Sequence, residues 1–425
     1  MPTANDLALA SFDEMIAAQR AADTETETET ETEQPDVPED PREGMRVLPR
    51  VLQLPLSLLT GKAYSGQRAT PMTPTFHLIT AFLSMAVGLL VSAQALSASG
   101  WWLLLLPLGW VITLHGMRNL RMMIYHQCAH RNMYSRRRLD ATIGRISSSL
   151  LVVQNFGRYS KDHVGDHHAM HHMTLRDPTV QAFLISLDVH PGMTRSQMWR
   201  RMLGKLLSPR FHAAFALGRI RSFNHGADRV EKTYAVLIYG AAVAAAAVSG
   251  DWLLLVVGWL VPLFPLFQVS NTLRLCVKHT FPDPRLTERV GKTYFASLTN
   301  AIFLGEPVPS GDASGLRRAV EWSRWTARLL LVHFPSRYLV LTGDTVCHDF
   351  HHRHPGSRDW ADYIFARQQD VDRGHPGWPA YHEVWGLASA INLVFDSLSA
   401  ADPEEFDVTG IAAVSGRELF TAFDD

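Results

Sequence analysis

Eleven of the chain's 20 histidines fall in three short windows, 126–130, 163–172 and 348–354, where even scatter would put about one. Within them the spacing is helical. His126 and His130 are four residues apart and project from one helix face. His168, His171 and His172 are separated by three and four, as are His348, His351 and His352. The second window has two other settings: His167 with His171 and His172, and His163 with His167 and His168. Neutral imidazole is a ligand for iron, copper, zinc and nickel. Eight or more imidazoles exceed the four donors of one structural zinc, so at least two metal ions are implied. Cys128, Cys276 and Cys347 form no Cys-x-x-Cys pair, which argues against zinc ribbons and iron–sulfur clusters.

The boxes need elements to carry them. Phe76 to Ser97 is almost wholly apolar, and a second block from Trp101 to Leu114 reaches spanning length if it continues toward Tyr125. Another pair runs from Tyr234 to Val248 and from Trp252 to about Val269. Trp101, Trp102, Trp110 and Trp252 suit a membrane interface, and Arg118 and Arg121 are expected to snorkel there. The expected fold is all-α and integral to the membrane: two transmembrane helical hairpins, hence four crossings, with a cytoplasmic helical cap carrying the histidine boxes. Arg136–Arg138, Arg200, Arg201 and Lys205 lie between the pairs, while the turns inside each pair carry no basic residue, which puts the cap on the cytoplasmic side. The first box follows the second crossing, the second lies about 40 residues on, and the third follows the fourth crossing, so all three can meet at one face.

The remaining chain divides simply. Residues 1–45 read as a disordered acidic tail, with an alternating Thr-Glu run from Thr24 to Glu33, and 46–425 as the membrane domain with its cap. Met198, Trp199, Met202, Leu203, Leu206 and Leu207 line one helix face opposite Arg200, Arg201 and Lys205; that helix lies on the membrane or packs on the protein's own core. Leu329 to Leu341, interrupted by His333, Pro335 and Arg337, is placed at the interface, not across it. A net charge of -1 gives no reason to expect a nucleic-acid partner. The three cysteines fit a reducing compartment.

An H-x3-H box, an H-x2/3-HH box and a distant H-x2-HH box around two hairpins resemble the membrane fatty-acid desaturase and hydroxylase superfamily. The likeness runs from about Met72 through the third box. It implies a non-haem pair of iron ions with dioxygen as co-substrate, held by His126, His130, His168, His171, His172, His348, His351 and His352, with His167 as the alternative in the second box. It also implies a further ligand after the fourth crossing, where His279 stands. The implied activity is desaturation of a fatty-acyl or lipid chain, the alternatives on the same scaffold being hydroxylation or oxidative decarboxylation. His375-Pro-Gly-Trp378 resembles a cytochrome b5 haem motif but lacks its last glycine and a following domain, so a separate electron donor, of ferredoxin or cytochrome b5 type with a reductase, is expected.

A zinc-transporting or metal-buffering membrane protein is the reading from another class. Transport sites usually lie at mid-bilayer, whereas these boxes lie outside the crossings. His115, inside the second crossing, reads as a neutral imidazole bonded to a backbone carbonyl. His77, His190, His212, His225 and His333 read as surface or interfacial. His354, His375, His382, Asp162, Asp166, Asp344 and Asp349 are candidates to orient ligands through their second ring nitrogen.

Overall fold

The computed structural model describes residues 40–410 except 171, 287–288 and 310–313, and leaves out the side chains of Asp166, His168, Ala169 and Met170. The described part of the chain is mostly helical. Among the described residues, four helices are long and apolar enough to cross a membrane: Pro74–Ala98, Gly100–Ala129, Arg229–Ser249 and Leu254–Leu275. The first starts where Thr73 caps the Phe76 amide and Pro74 supplies a preset φ. It ends at Ser99 and Gly100, both at positive φ, which reverse the chain into the second span.

These two spans pack through small residues. A Cβ on Gly88 would stand 2.3 Å from Thr113 Oγ1, and one on Gly116 would stand 2.4 Å from the Ala81 carbonyl. Such close backbone approach supplies the dispersion contacts that hold helices together where lipid removes the hydrophobic drive. The third span is hardly buried and keeps Val236, Leu237 and Val248 exposed. The fourth contains Pro262 and Pro265 and winds in π-helical turns. One freed carbonyl there, Val257, accepts from Trp110 Nε1 at 2.8 Å. Trp110 thus clamps two spans instead of sitting at an interface. An apolar cleft of about 580 Å³ opens between the first, third and fourth spans, lined by Phe82, Met85, Tyr239 and Trp259 among others.

Arg118 and Arg121 do not snorkel, because both are fully buried. Arg118 donates to Asn271 Oδ1 on the fourth span at 2.8 Å, and the Arg121 guanidinium packs against both the Tyr125 and the Tyr159 rings. Polar partners brought by distant segments make burial cheaper than the reach to water. His115 behaves as expected: its Nδ1 donates to the Tyr338 carbonyl at 2.7 Å and its ring stacks on Tyr338. His77 and His333, expected at the surface or the interface, are buried; His77 donates to the Ala361 carbonyl and His333 faces Glu306.

The helix Arg195–Leu206 packs on the protein's core through Met198 and Met202, while Leu203 and Leu207 remain exposed. Its Trp199 donates to Asn392 on the helix Leu387–Ala400. Two short parallel strands, Ala301–Phe303 and Glu383–Trp385, add the one sheet among the described residues. The acidic tail expected over 1–45 lies outside the described residues up to 39; from there Pro41–Gly44 forms a helical turn with Arg42 buried.

Candidate metal centre

The first box leaves the second span through a change of winding. Leu120–Tyr125 is π-helical, a form that recurs at functional sites, and His126–Ala129 follows as α-helix. His163, His167 and His168 of the second box lie on Asp162–Met170, also π-helical, which continues the helix Phe156–Lys161, and His172 lies in a turn beyond its end. Glu231, at the start of the third span, fixes this helix by accepting from the Phe156 amide at 2.8 Å and from Asn155. The third box is the helix His348–Arg353, and His279 lies just past the fourth span, bridged to Thr299.

Two groups of four imidazoles result. His126, His130, His163 and His351 form one, and His167, His279, His348 and His352 the other; in each, one nitrogen per ring lies within 4.8 Å of the rest. His126 Nε2 approaches His163 Nε2 at 2.7 Å. His348 Nε2 stands 3.3 Å from His279 Nε2 and 3.2 Å from His352 Nε2. Ring nitrogens that converge this way from separate helices share a point where a cation fits. His172 forms a third group with His167 and Asp177, and its ring lies 4.6 Å from that of His279.

Electrostatics favours neutral imidazole. Burial pushes His130 and His172 down to about 3, and the neighbouring His167 adds to this. His279, His348, His351 and His352 also lie well below the usual histidine range, mainly from burial and then from neighbouring imidazoles and, for all but His352, from Lys278. Deprotonated rings keep the lone pair that binds a metal. The donor set therefore fits two ions with imidazole ligands.

Outer partners complete the geometry. Asp177 Oδ2 meets His167 Nδ1 at 3.0 Å. Burial alone would raise the Asp177 carboxyl, but the facing His167 outweighs it and holds it low. His279 Nδ1 pairs with Thr299 Oγ1 at 3.2 Å, and Asp344 lies 3.8 Å from His126 Nδ1. Asp344 is buried and pushed up to about 6. Asp349 does not orient a histidine, since its carboxylate pairs with Arg367; Asp162 pairs with Gln154 and Arg158. His354 faces Asp370, His375 packs on Tyr381, and His382 is exposed.

Of the residues singled out in the sequence, His126, His130, His167, His172, His279, His348, His351 and His352 are brought together, with His163 from the alternative setting of the second box. His171 lies outside the described residues, as do the side chain of His168 and that of Asp166. Asp177 and Thr299 had not been singled out. Asp177 stands before Pro178 and caps the helix Pro178–Leu187, a pattern that reads as structural.

A comparison with curated proteins finds no match. The family model described as fatty acid desaturase matches residues 99–307, which carry the first two boxes, the third and fourth spans and His279. The third box lies beyond that segment, yet His351 joins the group of the first box and His348 and His352 join the group of His279. Residues 99–307, just under half of the chain, are thus similar to the fatty acid desaturase family.

Proposed function

We propose that the protein is an oxygen-dependent di-iron desaturase that introduces a double bond into a fatty-acyl or lipid chain. One observation carries this: two four-imidazole groups lie side by side, built from boxes scattered over more than half the chain. The ligand set we assign is His126, His130, His163 and His351 for one ion, and His167, His279, His348 and His352 with His172 beside them for the other. His168 and His171 are the ligands of the alternative setting of the second box. Two iron ions held there would supply the dioxygen chemistry that takes hydrogen from an unactivated carbon.

The chain's own residues orient and insulate. Asp177 and Thr299 fix ring nitrogens that face away from the metal positions, which selects the tautomer. Most of these rings are buried, with His130 and His352 half-buried, and the packed core around them limits the access of bulk water. The four spans, taken as two hairpins across a bilayer, bring a lipid substrate to the base of the box helices, and the basic residues at 136–138 support a cytoplasmic position for the cap. Electrons come from a separate donor of ferredoxin or cytochrome b5 type.

Expression in a host lacking the activity, with fatty-acid profiling, tests this. New unsaturated products are expected from the intact chain and none from His351→Ala. Hydroxylated or shortened products would assign the chain to the hydroxylase or decarboxylase branch instead.

A further inference from the structure

The helix Gly315–Arg328 runs on through helical turns at Leu329–His333 and Ser336–Val340 and has three faces. Trp325, Leu329 and His333, four apart, are buried. Trp325 and Leu329 pack on Met45 and Leu56, which places the helix Arg50–Thr60 alongside. A second face carries Leu316, Val320, Ala327 and Leu331, spaced by four, seven and four, so they share one side of the helix. Leu316 is 81% exposed and Leu331 75%, and on the neighbouring helix Val51 is 79% exposed. Between these faces runs a stripe of Arg317, Arg324 and Arg328, in which Arg317 pairs with Glu321 and Arg328 with Glu306.

The end of this helix sits at depth beside the spans. Tyr338 takes the His115 hydrogen bond, and the Leu339 carbonyl accepts from Ser270 on the fourth span. His115 precedes His126 by eleven residues, so at the α-helical rise it lies about 16 Å along the second span from the first box. A helix whose end touches the middle of a span, and whose outer face is apolar, meets hydrocarbon there.

We infer that Gly315–Val340, with Arg50–Thr60 beside it, is a half-inserted interfacial helix whose apolar face enters the leaflet and whose arginine stripe binds anionic phospholipid headgroups. Four arginines in Gly315–Arg328 stand against two glutamates, Glu321 paired with Arg317 and Glu306 paired with Arg328, which leaves a net positive charge to complement anionic headgroups, and contact with two spans makes the face continuous with the membrane-facing surface. The acidic segment 1–39 is the competing occupant, but its alternating Thr-Glu run matches the arginines and not the exposed leucines. The inference rests on the four spans crossing a bilayer and not on the oxidation reaction.

The test uses the full chain in lipid nanodiscs with a bimane label at Leu331→Cys, the described native cysteines being buried. Brominated acyl chains should quench that label as strongly as one at Val236→Cys on the third span, and leave one at the exposed Arg373 (Arg373→Cys) unquenched. Brominated phosphatidylglycerol should quench more than brominated phosphatidylcholine, and that preference should fall by about fivefold for each arginine removed in Arg317→Gln and Arg324→Gln. No quenching at Leu331→Cys, or quenching only after residues 1–39 are deleted, overturns the insertion. Equal quenching by the two lipids overturns the headgroup contact. None of these readouts depends on enzymatic activity, so a chain inactive on fatty acids still reports where the helix lies.

Discussion

His163 and His167 stand four residues apart on one helix, with ring centroids 5.4 Å apart, and belong to different imidazole groups. The third box divides the same way, His351 to one group and His348 and His352 to the other. Both imidazole groups therefore share two helices, and a defect in one should be felt by both. His163→Ala should bring bound iron well below one ion per chain, measured on purified protein by elemental analysis, and abolish product. Normal iron content in that variant would remove His163 from the site and restore the setting built on His168, His171 and His172.

Asp177 offers a sharper dissection, because it both caps a helix and holds His167. Asparagine keeps the cap but loses the charge that opposes Nδ1–H. Asp177→Asn should fold with little loss of melting temperature and lower iron affinity or activity by about 10–100-fold. A variant with unchanged affinity under competition with a chelator would reduce Asp177 to a cap.

Much of this arrangement was legible in the sequence for physical reasons. Apolar runs of spanning length announce the four long helices, and imidazoles three and four apart can only share a helix face. What stayed hidden depends on how distant segments cross. Arg118 and Arg121 look like snorkelling cations until Asn271, Tyr125 and Tyr159 are seen to enclose them. The partition of each box between two groups is likewise set by the crossing of helices. Asp177 was hidden because an aspartate before proline at a helix start has an adequate structural role already.

The approach of the first two spans depends on glycine. A methyl group on Gly116 would stand 2.4 Å from the Ala81 carbonyl, a backbone atom with no rotamer by which to yield. Gly116→Ala should cost about 1–3 kcal/mol, the range for overpacking. Thermal unfolding in a fixed detergent checks it, with Gly204→Ala as a control, since nothing lies near that position. Equal melting temperatures for both variants would mean that the two spans do not pack this closely.

A chain of ion pairs ties the third box to the start of the described chain. Arg367 is fully buried; its Nε and Nη2 reach Asp349 inside the box, at 3.0 and 2.9 Å to Oδ2, and its Nη1 reaches Glu383 at 3.0 Å. Glu383 in turn pairs with Lys62, which also pairs with Asp40, so charges alternate from the start of the described chain to the box. Removing the cation alone leaves Asp349 buried without compensation, whereas removing both members costs far less. Arg367→Met should therefore lose about 3–5 kcal/mol of stability, and the double variant Arg367→Met/Asp349→Leu should recover most of it. Denaturation of the single and double variants closes the cycle. A non-coupled result, with the two losses simply adding, would show that the ion pair does not hold the box helix, and the helix would then have to be held by Phe350 and its apolar neighbours instead.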